Sequence, residues 1–174
     1  RVQRRRERAA GADAALLGEL TVDLILWRHA EAYDAKDGQD DLERALTTKG
    51  ERQAARMADW LNRQLPAGTK VYASPARRAQ QTAAALERKV KTADALAPDG
   101  SVEALLHTVR WPDAREGALV IGHQPTLGLV AAYLLAGQPL PWALRKGAVW
   151  WLRSRERDGV RQTVLHAAMS PELI

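Results

Sequence analysis

Apolar positions along the chain fall into short dense runs separated by amphipathic stretches, the signature of strands alternating with helices. Residues 22–27 form a β-favouring apolar run that reads as a buried strand ending at Arg28. A polar loop rich in Asp, Lys and Gly covers residues 34–44. Thr48 with Glu51 three residues on is a capping-box pattern, and Ala54, Met57, Ala58, Leu61 and Leu65 then line one face of a helix closed by Pro66 and Gly68. Residues 70–73 predict a second strand. Ser74 and Pro75 follow as cap and first helical residue of a helix carrying Arg78, Thr82 and Leu86 to about Arg88. A weak segment at 90–96 leads to Pro98-Asp99-Gly100 and a helix over 102–110. Residues 118–121 predict a third buried strand, ending at Gly122-His123, and Pro125 opens a helix through Ala136 that is apolar nearly all round. Residues 148–152 and 160–166 predict two last strands joined by a turn at Asp158-Gly159, with Trp150 and Trp151 on opposite faces.

This alternation predicts an α/β fold: one domain with a mostly parallel sheet, helices on both faces, and the last strand pair adding an antiparallel member at one edge. Ligands of such sheets collect beyond the carboxyl ends of the strands, near helix N-termini. Those ends deliver Arg28-His29, then Ser74 with Arg77 and Arg78, then Gly122-His123. Two histidines and at least two arginines at one rim make the composition of a phosphate site. Guanidinium forks match phosphate oxygens, and imidazole serves as nucleophile or acid–base at neutral pH.

Composition narrows the classes. The chain has 174 residues, 46% of them hydrophobic, which suits one core. It has no cysteine, which removes disulfides, thiolate metal sites and thiol nucleophiles and fits a reducing compartment. No apolar run approaches the roughly 20 residues needed to span a bilayer, and no signal-peptide pattern is visible, so the cytoplasm is the expected location. Net charge is +5, of which residues 1–20 carry +2 through five Arg against Glu7, Asp13 and Glu19. That segment is expected to be a basic N-terminal extension to a catalytic domain at 21–174. Aromatic residues are not interleaved with the basic ones and Phe is absent, which disfavours a nucleic-acid platform; a small anionic substrate fits better. The four histidines show no metal-ligand spacing, and His107 and His166 have no supporting constellation, so no metal or other cofactor is expected.

Arg28-His29-Ala30-Glu31 resembles the Arg-His-Gly/Ala signature of the histidine phosphatase superfamily. Ser74 to Thr82 is similar to that family's Ser-Pro-x-x-Arg-Ala-x-Gln-Thr block, whose arginine falls on Arg78, and Val120 to Pro125 is similar to its third block, whose histidine falls on His123. Arg44-Ala45-Leu46-Thr47 with Gly50 resembles the stretch before the first helix. Met169-Ser170-Pro171 is similar to the end of the compact SixA-like phosphohistidine phosphatases.

The resemblance implies a three-layer sandwich without a large cap and a metal-independent phosphohydrolase. In it His29 is the nucleophile, Arg28, Arg78 and His123 hold the phosphoryl oxygens, and Arg44, Ser74 and Gln124 are further substrate contacts. Ala30 stands where many members have Gly. Arg77 falls at a variable position. The general acid of larger members has no matching motif here; Glu31, Asp99 and Glu103 are candidates by type alone. The implied partners are a protein carrying phosphohistidine or a small phosphorylated metabolite, with no nucleic acid and no membrane. A catalytically silent phosphate- or phosphopeptide-binding module on the same fold is the reading from another class.

Overall fold

A computed structural model describes residues 20–174, so the basic extension expected at residues 1–20 lies almost entirely outside the described residues. Six strands form one sheet in the order β3-β2-β4-β1-β5-β6. They are β1 (Thr21–Arg28), β2 (Lys70–Ala73), β3 (Val90–Thr92), β4 (Ala118–Gly122), β5 (Val149–Arg157) and β6 (Val160–Met169). Strands β3, β2, β4 and β1 run parallel, β5 runs antiparallel to β1, and β6 returns antiparallel to β5. The one reversed strand is therefore β5, set inside the sheet with β6 outside it. Their hairpin turns at Asp158 and Gly159, which have φ of 53° and 75°, the paired positive values that a two-residue hairpin loop requires.

The helices are α1 (Thr48–Gln64), α2 (Arg77–Ala84), α3 (Val102–Thr108) and α4 (Thr126–Ala136). Strand alternation sends Ile25, Trp27, Val71, Leu119, Ile121 and Trp151 to one face, against Met57, Ala58 and Leu61 of α1 and Ala79 and Ala83 of α2. Leu24, Leu26, Val120 and Leu152 face the other way, against Leu105 of α3 and Leu127, Val130 and Ala131 of α4. The result is the expected three-layer sandwich. Trp150 and Trp151 do separate across it: Trp151 is buried in the first layer, while Trp150 packs with Trp142 in the second. Among the described residues no helix is long and apolar enough to cross a membrane.

Local signals were displaced in two places. The cap of α1 is Thr47, whose hydroxyl accepts from Gly50 N at 3.0 Å, so the Thr48–Glu51 capping box does not form. The preceding residue wins because its hydroxyl also donates to the Glu31 carboxylate at 3.0 Å, tying the helix start to the loop after β1. Helix α2 begins at Arg77, not at Pro75, and ends at Ala84, short of Arg88. Ser74 is drawn into a tertiary contact described below, and a positive φ at Glu87 turns the chain out of the helix.

Gly50 lies where α1 presses on the Glu31 backbone, and a Cβ there would run into the Glu31 carbonyl. Gly50→Ala therefore forces the loop after β1 away from α1. Urea unfolding is expected to show a loss of about 2–4 kcal/mol, the range of backbone overpacking at a close approach.

Candidate active site

The carboxyl ends of β1, β2 and β4 meet at one rim, and their register explains why. Arg28 pairs with Gly122 in the β1–β4 ladder, and Ala73 with Ile121 in the β2–β4 ladder. The residues just past each strand end, His29, Ser74 and His123, are thereby brought to one level. His29 N donates to Gly122 O at 3.1 Å and Ser74 N to Ile121 O at 3.0 Å, which extends the ladders into the site.

The chain before β5 clamps the β1 end. Gly147, at φ 75°, donates its amide toward the carbonyls of both Arg28 and His29 at 3.1 Å, and its own carbonyl accepts from Trp27 Nε1 at 3.0 Å. Nη1 of Arg28 donates to Leu144 O at 2.8 Å. On the α2 side, Thr82 Oγ1 accepts from Ala30 N at 3.1 Å and donates to Arg78 O at 2.7 Å. Gln81 Oε1 accepts from Leu46 N and Gln53 Oε1 from Glu31 N. Thr82 of α2 and Gln53 of α1 thus fasten the loop that follows His29, and Gln81 of α2 fastens Leu46.

Hydrogen bonding fixes both imidazole tautomers. Nδ1 of His29 lies 2.7 Å from Ala30 O, an atom that can only accept. Nδ1 therefore carries the proton and Nε2 keeps its lone pair. His123 has Nδ1 3.5 Å from Nη2 of Arg78, which can only donate, and Nε2 2.7 Å from Ser74 Oγ. Its proton is accordingly on Nε2, donated to Ser74. The rings lie 5.2 Å apart between centroids, with 5% of His29 and 4% of His123 exposed. Burial, aided by nearby cations against the Ala30 hydrogen bond, pushes His29 down to about 3. Burial and the Arg78 charge push His123 down to about 4. Both imidazoles are neutral near pH 7.

Arg78 is 3% exposed. Its Nη1 donates to Asp41 O at 2.7 Å and its Nη2 to Asp41 Oδ2 at 2.9 Å. The other carboxylate oxygen of Asp41 accepts from Arg44 Nε at 2.8 Å, and Arg44 Nη1 donates to Tyr33 O at 2.8 Å. Among the described residues three buried side-chain nitrogens have no hydrogen-bond partner, and two of them are Nε of Arg28 and Nε of Arg78. Both nitrogens are closed to solvent, as is the third, Trp151 Nε1, so they record how far the two guanidinium groups are withdrawn from water. Burial also pushes the Arg28 guanidinium down from its ordinary value, a sign of the desolvation that an anion would offset.

The structure brings together Arg28, His29, Arg78 and His123, with Arg44 joined to them through Asp41. Two expected substrate contacts have partners within the protein. Ser74 is fully buried and holds His123 instead of facing a ligand. Gln124 spends its amide on Trp142 O and Gly128 N, both at 2.9 Å, and pins α4. His107 and His166 stand outside the site, both exposed, with His166 against Trp151. Of the candidate acids, Glu31 bonds Thr47 and Lys49, with Lys49 Nζ at 3.2 Å. Asp99 and Glu103 are exposed. Sequence reasoning missed Asp41. Its one signal was position, three residues before Arg44, in a loop already crowded with acids.

Residues 24–99 match the family described as the histidine phosphatase superfamily, branch 1. An uncharacterized protein of Picosynechococcus sp. is 37% identical over 124 residues, 67% of this chain and 75% of that protein. The chain belongs to the histidine phosphatase superfamily. Within it, the solved protein histidine phosphatase SixA in complex with tungstate is 27% identical, with a TM-score of 0.68 over 87% of this chain and 99% of that chain. A Nakamurella multipartitia protein assigned as the phosphohistidine phosphatase SixA is 28% identical, with a TM-score of 0.72 over 87% of this chain and 97% of that one. The chain is a phosphatase by family, on a SixA-like fold.

The lowered histidines have a consequence for stability. The unfolded chain binds their protons near the ordinary value of 6.5, whereas the folded one does so only near 4 and 3. Across that window the unfolded state holds more protons, so stability is lost as pH falls from about 6.5 toward 4. The slope approaches about 1.4 kcal/mol per pH unit for each histidine. Urea midpoints between pH 7 and 5 are expected to drop in the wild type and to drop less in His123→Asn.

Proposed function

We propose that this phosphatase removes the phosphoryl group from phosphohistidine on a protein, using His29 as nucleophile, without a metal ion. The observation that carries the proposal is the His29 tautomer: the Ala30 carbonyl holds the proton on Nδ1 and leaves a neutral Nε2 lone pair at pH 7, within the field of the Arg28 and Arg78 guanidinium groups.

In the first step Nε2 of His29 bonds to phosphorus as the substrate P–N bond breaks. The departing electron pair stays on the substrate imidazole, which takes a proton from solvent. Arg28 and Arg78 flank the phosphoryl oxygens, supplying the charge stabilisation and positioning that such a loose transition state chiefly needs, and the neutral His123 ring holds its place beside them through Ser74 and Arg78. The Nδ1–H bond to Ala30 then supports the ring while it carries the group. In the second step water attacks phosphorus, the P–Nε2 bond breaks, inorganic phosphate leaves and a proton passes to solvent.

The acids at the rim favour a P–N over an alkyl P–O substrate. Hydrogen bonds from Thr47 and Lys49 pull Glu31 down. Burial pushes Asp41 up, but its bonds to Arg44 and Arg78 outweigh this and leave it lowered. Both stay ionised near neutrality and donate protons poorly, which handicaps an alkoxide leaving group and spares a phosphoramidate. The absence of a large cap between α2 and β4 and the exposed Tyr33 at the rim suit a protein surface.

Phosphate release measured in excess EDTA tests this. The wild type is expected to turn over a phosphohistidine peptide faster than an aryl phosphate, and His29→Ala to lose at least about 10³-fold in kcat. A wild type inert on both substrates, or an equally active variant, would refute the nucleophile assignment. Arg78→Ala is expected to lose about 10²–10³-fold in kcat, the usual cost of one preorganised donor.

A further inference from the structure

The phosphate-holding cations are already occupied by a group of the protein's own. Asp41 lies in a single turn of 3-10 helix, Asp41–Glu43, held by the Asp40 side chain accepting from Leu42 N at 2.9 Å. From there it spans two arginines that come from different parts of the fold. One carboxylate oxygen and the backbone carbonyl take both Nη atoms of Arg78, and the other carboxylate oxygen takes Nε of Arg44.

The exposures are unequal. The Arg78 side chain is 3% exposed and that of Asp41 51%. The cation is built into the wall, while the carboxylate reaches it from a surface loop in which residues 34–43 are all exposed. A buried guanidinium without a counter-charge is costly, so in the resting enzyme something anionic must sit there. No other carboxylate pairs with Arg78 among the described residues.

We infer that Asp41 is the resting counter-ion of the phosphate site, a positioning residue that holds Arg78 and Arg44 until an incoming phosphoryl group takes its place. This rests on the reading of those two arginines as phosphate-holding. A dianionic phosphoryl group and the Asp41 carboxylate repel each other across the same cations. Binding therefore exchanges one anion for another and loosens the 34–43 loop, and release of inorganic phosphate is assisted by return of the carboxylate. A purely structural Asp41 predicts the opposite: its loss would misplace Arg78 and weaken anion binding.

Inorganic phosphate binding, read by calorimetry at fixed ionic strength, separates these. Asp41→Asn keeps the shape and one acceptor oxygen and removes the charge. Its dissociation constant for phosphate is expected to fall by at least about tenfold, as when a like charge is taken from a close anion site. The rise in melting temperature on adding phosphate is expected to exceed the wild type's. Unchanged or weaker phosphate affinity in the variant overturns the inference and leaves the nucleophile reading standing. Absence of phosphate binding by both proteins overturns the inference together with the phosphate-site reading. A result that needs no variant comes from hydrogen exchange on the wild type. Saturating phosphate is expected to speed exchange in the peptide covering residues 34–44; slowed or unchanged exchange overturns displacement.

Discussion

A guanidinium removed almost entirely from water sets the terms for the rest of this molecule. Arg78 sits at the start of α2 with 3% of its surface exposed, and its charge must be met from within the fold or by a ligand. Asp41 meets it at rest, while its Nε is left without a partner. Both of its Nη atoms are held by Asp41, one by the backbone carbonyl and one by the carboxylate. Left without that counter-charge, a guanidinium so deeply buried would destabilise the sheet it stands on.

The same cation orders its surroundings. Because Arg78 can only donate, it fixes the lone pair of His123 on Nδ1 and sends the ring's proton to Ser74. The Ala30 carbonyl sets the opposite tautomer at His29. Two histidines 5.2 Å apart in one pocket thus hold different protonation patterns for local, nameable reasons. Burial supplies the second half of the effect by keeping both rings uncharged near neutrality. Neutral imidazole with an outward lone pair is the form a nucleophile needs, and the surrounding cations disfavour its protonation at no further structural expense.

Belonging to the histidine phosphatase superfamily accounts for a phosphatase chemistry, and the local geometry bears on the substrate we propose. Glu31 and Asp41 lie near the pocket yet are tied to cations, so proton donation is the service this rim is least equipped to give. A phosphoramidate asks least for it. Between α2 and β4 the chain forms only short elements, which suits the macromolecular substrate we propose.

Much of this was legible in the residues, and the exceptions share one cause. Strand and helix periodicities placed five of the six strands and all four helices, because burial on a two-faced sheet imposes alternation; β3, three residues at the sheet edge with little buried surface, read only as a weak segment at 90–96. Arg28, His29 and His123 followed from asking what lies at strand ends, while the choice of Arg78 over Arg77 came from the resemblance to the family's second block. What failed were readings that depended on a single side chain's partner. Thr47 rather than Thr48 caps α1 because Glu31 lies across from it, and Ser74, which accepts from Ala76 N, also bonds His123 while α2 starts only at Arg77. Gln124 turned inward to Trp142 and Gly128, and Asp41 reached Arg78 across 37 positions of sequence. By itself the sequence determined the layers, the strand ends and the charges delivered to them, since these rest on periodic burial and covalent order. Only the tertiary structure decided which donor meets which acceptor, because a hydrogen bond depends on ångström-scale approach between segments that sequence spacing does not encode.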